Sequence, residues 1–197
     1  MDDSDILNEP KSYPKHVWLI VISYLFERFC FYGIRVVLQT YLALQLGLSF
    51  NLAGSVYHAH AMVSYFTPIL GAIVADSFIG RYWTVVILSV LYIIGNLVLS
   101  GATITSSSTL LVLSLIGVFM NAFGAGAIKP CLSAFGADQF AKSMVKQREQ
   151  FFSFFYAAIN IGALVAQFLT PYLKGILLIC FEIFHNFSFF FYSHSML

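Results

Sequence analysis

The chain is 197 residues long, 59 % hydrophobic and only 10 % charged, with a mean hydropathy of +0.84. Soluble domains carry roughly 25 % charged residues, so a water-soluble globule is excluded and an integral membrane protein is indicated. A net charge of +1 offers no basic surface for nucleic acid. Cys30, Cys131 and Cys180 lie in apolar surroundings with no paired spacing, which points to packing thiols and to neither a disulfide framework nor a metal site.

Residues 1–16 are polar and carry Asp2, Asp3, Asp5, Glu9, Pro10 and Pro14. They read as a disordered cytoplasmic tail, since a signal peptide would open on a basic region before a short apolar core. Apolar runs follow at 17–44, 52–75, 82–102, 109–132 and 152–173. Each is long enough for the ~20 residues that cross a ~30 Å hydrocarbon core. Backbone groups find no water there, so the runs are expected to be helices.

Basic residues collect on one side. The tail holds Lys11 and Lys15, the second connection Arg81, and the fourth Lys142, Lys146 and Arg148. The first and third connections, 45–51 and 103–108, hold no charge. The positive-inside rule then places the N-terminus in the cytoplasm. Residues 176–197 differ from the rest: they are dense in Phe and contain Glu182, His185 and Asn186. They read as a poor sixth span, an interfacial segment, or a truncated or misread end. Asn186-Phe-Ser188 is also a glycosylation sequon, which five spans would place outside.

Within the first run stand Glu27, Arg28 and Arg35. Each such charge costs about 2.5–3.5 kcal/mol at the middle of a membrane helix, so it needs a partner or a wet cavity. At ~100° per residue, Tyr24, Arg28, Tyr32 (or Phe31), Arg35 and Gln39 share one side. Two roles are open to the arginines: capture of a carboxylate, or an ion pair with Glu27. Glu27 is the deep carboxylate of the first run. His58 stands near the outer end of the second, beside Tyr57, with Tyr65 seven residues on along the same face. Imidazole is the side chain best suited to sense outside acidity. His60 lies far around the helix and reads as packing or interface. Lys129 is followed by Pro130, whose missing N–H frees a carbonyl beside the ammonium; snorkelling to the interface is the other reading. Gly124 and Gly126 allow another helix to approach closely. Tyr156 and Asn160 are four apart in the fifth run, and Gln167 continues their face. A catalytic reading finds no Ser–His–Asp set, phosphate loop or metal-spaced cluster, so no enzyme and no cofactor is expected.

Three blocks resemble the proton-coupled oligopeptide transporters of the POT/PTR family. They are Glu27-Arg28-Phe29 with Tyr32-Gly33 and Arg35; Gly126 to Phe140 with Lys129-Pro130; and Phe154-Phe155-Tyr156 to Asn160-Ile-Gly162. Gly71 to Arg81, with Asp76 and Gly80, is similar to the loop motif of the major facilitator superfamily. Tyr57-His58 is most similar to the animal branch. The resemblance covers about residues 13–175 and implies an all-α membrane fold: part of a major facilitator N-terminal bundle over 17–175, with five spans and room for a sixth.

It further implies symport of di- and tripeptides with protons at the plasma membrane. Arg28, Tyr32, Arg35, Tyr41, Lys129, Tyr156 and Asn160 would hold the peptide. Glu27, His58 and Tyr65 would couple the proton, and Gly71, Asp76, Gly80 and Arg81 would form a conformational clasp. Partners are then the small peptide, protons and lipid, with a C-terminal half supplying the remaining contacts. Relatives thought to move nitrate, histidine or larger peptides leave other cargoes open. Two departures stand out: Tyr24 occupies a position where the family usually has Glu, and Phe31 replaces the usual Tyr. A rival reading is that half of a rocking transporter has no opposing gate. The chain is then a non-transporting, truncated protein that modulates a full-length relative, or an incomplete gene product.

Overall fold

The computed structural model describes residues 15–102, 107–141 and 143–172. The expectations for residues 1–14 and 176–197, the sequon at Asn186 included, lie outside the described residues. Among the described residues there are five long helices: α1 Lys15–Leu44, α2 Phe50–Val74, α3 Arg81–Ala102, α4 Ser107–Asp138 and α5 Val145–Leu169. All five are long and apolar enough to cross a membrane. At 1.5 Å per residue, α1 alone is about 45 Å long.

Local chemistry sets several of the ends. The Ser49 hydroxyl accepts the amide of Leu52 at 3.4 Å and caps the start of α2. After Val74 the chain does not enter a loop. It widens into a π-helical turn, Ala75–Ile79, and stops at Gly80, whose φ of 78° is unfavourable for any side chain with a Cβ. The fourth connection is shorter than the apolar runs suggest. α4 continues to Asp138 and α5 begins at Val145, because the mixed polar residues at these ends are compatible with helix outside the hydrocarbon region.

α4 packs between α2 and α3, while α1 packs against α5 and α2. Buried residues form two main clusters along α1. One gathers Ile20, Tyr24, Phe31, Tyr92, Phe151 and Phe155; the other gathers Leu38, Leu42, Ala53, Leu99 and Val118. Large apolar side chains such as Met62, Phe66, Ile69, Trp83 and Phe168 remain exposed on the outer faces. Lipid is as apolar as these residues, so close packing and interhelical hydrogen bonds hold such a bundle together. Gly126 shows how close that packing is: a Cβ there would lie 2.7 Å from the Ser64 carbonyl oxygen of α2. On the other side of the bundle, Gly162 of α5 fits against the Leu25 carbonyl of α1.

Candidate functional site

The polar face of α1 is built around the Phe31 ring. Arg28 lies 4.9 Å from the ring centroid, Lys129 of α4 4.3 Å and Arg35 5.9 Å. Three cations thus share one aromatic surface, which favours positive charge through its quadrupole.

They differ in how they are compensated. Arg28 and Glu27 form a buried, two-pronged ion pair between adjacent residues. The guanidinium also lies 4.9 Å from the Tyr24 ring, and Tyr24 stacks on Phe155 of α5 at 4.1 Å with 7° between planes. Tyr24 therefore closes this pair against α5. Arg35 is only half-buried and donates to the hydroxyls of Tyr57 at 3.2 Å and Tyr65 at 3.3 Å, both on α2. Lys129 lies 5.1 Å from the Tyr65 ring and donates to the backbone carbonyl of Ser64 at 3.4 Å. Pro68 explains that acceptor. It stands four residues after Ser64 inside α2 and has no N–H to occupy the carbonyl. The sequence points to Pro130 as the source of the freed carbonyl, whereas the one that meets Lys129 comes from the neighbouring helix. Lys129 reaches into the bundle here and does not snorkel outward. Among the described residues, neither Arg35 nor Lys129 forms an ion pair with a carboxylate.

The remaining predicted residues fall in other places. Tyr65 joins Arg35 and Lys129, while His58 is exposed and packs edge-on against Tyr57 at 5.4 Å. Tyr32 stands edge-on to Phe31 at 5.4 Å. The Tyr41 hydroxyl is 2.8 Å from that of Ser114 on α4. Tyr156 and Asn160 are both exposed on α5, and the Asn160 amide donates back to the Tyr156 carbonyl at 2.9 Å. Asn160 is thus engaged with its own helix and does not bridge to another. Gln167 is exposed on the same helix.

At the turn after α2, Arg81 contacts Asp76 at 3.1 Å and Asp138, the last residue of α4, at 2.7 Å. Asp138 is a partner that the Gly71–Arg81 pattern does not reveal. Gly71 lies against the backbone of Ala127 on α4. A second feature missed from sequence is buried: His60 Nε2 is 3.0 Å from Asn121 Oδ1, and Asn121 donates to Asn96 Oδ1 at 2.7 Å. The available signal was three uncharged polar side chains, each in a different apolar run. Among the described residues there is no cluster of three or more His, Cys, Asp or Glu fit to hold a metal.

A family model described as PTR2, POT family, matches residues 82–190. The chain belongs to the POT family. Over 174 residues it is 42 % identical to human solute carrier family 15 member 1, covering 82 % of this chain and 25 % of the relative. Its fold matches that of the POT family transporter PepTSo with a TM-score of 0.78 and 31 % identity, over 93 % of this chain and 37 % of the other. A second structure, that of a proton dependent oligopeptide (POT) family transporter, matches with a TM-score of 0.73 and 31 % identity, over 88 % and 39 % of the two chains. This POT-family chain spans about a quarter of the length of the curated relatives it matches. Its described residues form an all-helical bundle with the fold of POT-family membrane transporters.

Proposed function

We propose that this chain forms part of a carrier that moves di- and tripeptides with protons across the plasma membrane, its N-terminus in the cytoplasm. The observation that carries this reading is the pair Arg35 and Lys129. Both cations are half-buried on the Phe31 surface, and among the described residues no carboxylate pairs with either. At a cost of about 2.5–3.5 kcal/mol for each such charge in a membrane, a site of this kind suits an anionic group of the cargo. A peptide's terminal carboxylate fits. One solved relative at 31 % identity is named as proton dependent and as an oligopeptide transporter.

In this reading Arg35 and Lys129 hold the carboxylate. Arg28 becomes available when Glu27 takes a proton and releases it. Tyr32, Tyr41, Tyr156 and Asn160 contribute hydroxyl, ring and amide contacts to the peptide backbone. His58 receives protons on the outer side, and Tyr65 links the Arg35 and Lys129 sites. The clasp of Arg81 with Asp76 and Asp138 joins the turn after α2 to the end of α4, where it would open and close as the bundle rocks against a second half. Each proton entering contributes about 2.3 kcal/mol per 100 mV of membrane potential and about 1.4 kcal/mol per pH unit of gradient.

The test is uptake of a labelled neutral dipeptide by cells that express this chain together with the C-terminal half of the human relative. Uptake is expected to rise severalfold as the outside pH falls from about 7.5 to about 6, as symport with protons requires, and to carry inward current. Uptake that ignores pH and carries no current would remove the proton from the mechanism.

A further inference from the structure

The buried polar chain His60–Asn121–Asn96 crosses from α2 through α4 to α3. All three side chains are at most 1 % exposed. Asn121 gives its amide to Asn96, so its carbonyl oxygen faces His60 Nε2 and Nε2 must carry the hydrogen. The lone pair is then on Nδ1, which is buried and has no hydrogen-bond partner. One turn further along the same face of α2, the Ser64 hydroxyl is also buried and without a partner, while the Ser64 carbonyl receives Lys129. The His60 ring stacks against Phe31 at 6.3 Å, the ring that also carries Arg35 and Lys129.

We infer that His60 is a second proton-binding residue of this bundle, and that its proton and the anion held by Arg35 and Lys129 bind cooperatively. The charged groups acting on it are Arg35 from α1 and Lys129 from α4. Asn121 of α4, Asn96 of α3 and the tyrosines Tyr57 and Tyr65 of its own helix are uncharged. Protonation forms an Nδ1–H bond and leaves the Nε2–H bond to Asn121 in place. It creates a third positive charge beside two that no carboxylate balances. With the site empty that charge is repelled; a bound carboxylate offsets the repulsion. By linkage, the proton then strengthens carboxylate binding by the same factor.

This inference rests on reading Arg35 and Lys129 as a carboxylate site, and the two can be tested apart. The chain, labelled with ¹⁵N-histidine and held in lipid nanodiscs, reports tautomer and protonation of each ring by NMR. His60 is assigned by the signal lost in His60→Gln, or, should that variant not fold, in a chain keeping His60 as its sole histidine. Without ligand, neutral His60 is expected as the Nε2–H tautomer. Lys129→Gln and Arg35→Gln should each raise its protonated fraction near about pH 6.5 severalfold, the scale of one unit charge several ångströms away. Adding dialanine to the unaltered chain should do the same, and dialanine amide should not. An Nδ1–H tautomer, or a protonated fraction that ignores both substitutions, overturns the proposal. So does a fraction unmoved by dialanine that is shown to bind. If dialanine fails to bind even when the chain is assembled with the C-terminal half of the human relative, but both substitutions act, the peptide reading falls and the charge coupling at His60 stands.

Discussion

Four ionisable side chains near Phe31 divide into two pairs with different tasks. Glu27 and Arg28 neutralise each other in a buried pair, and Tyr24 and Phe31 cover the guanidinium. Breaking a buried pair from one side costs about 3–5 kcal/mol, because it strands a charge. Glu27→Gln and Arg28→Gln should therefore each lower thermal stability in nanodiscs by an amount of that order. The double variant should lose much less than their sum, which a double-mutant cycle would measure directly. Additive losses would mean that the pair does not hold the two charges in this state. Arg35 and Lys129 show the opposite design. Tyrosine hydroxyls, an aromatic face and one backbone carbonyl hold them in position without cancelling their charge.

Between helices, small residues and prolines decide where these side chains meet. Gly126 lets the α2 backbone come close enough for the Ser64 carbonyl to reach Lys129, and Pro68 leaves that carbonyl free. Gly126→Val places a branched side chain against Ser64. It should cost about 1–3 kcal/mol of stability by overpacking and should weaken dipeptide binding by moving α2 off α4. Unchanged stability would place the close approach elsewhere. The five helices could be read from the sequence because hydropathy alone demands them in lipid. The charges of α1 and α4 were equally legible, since any ion in an apolar run needs a reason. What it could not show was pairing at a distance. A freed carbonyl is predictable four residues before any proline inside a helix, but which lysine reaches it depends on how two helices pack. His60, Asn121 and Asn96 lie in three separate runs and gain meaning only when brought together. Asp138 looked like part of a loop until α4 continued far enough to place it on Arg81.

At the scale of the molecule, the described residues form five long helices. The chain covers about a quarter of the human relative and 37 % of the PepTSo chain, with its transporter fold intact over that portion. α2 and α5 keep much of their surface exposed, including Tyr65 and Tyr156. The claim on which everything else rests is that Arg35 and Lys129 bind the cargo carboxylate. Calorimetric titration of the chain, assembled in nanodiscs with the C-terminal half of the human relative, with dialanine and with dialanine amide tests it most directly. The acid is expected to bind at least tenfold more tightly than the amide, and Lys129→Gln should erase that difference, as the loss of a charge-assisted contact worth about 1.5–3 kcal/mol requires. Equal binding of acid and amide to the unaltered chain would contradict the account.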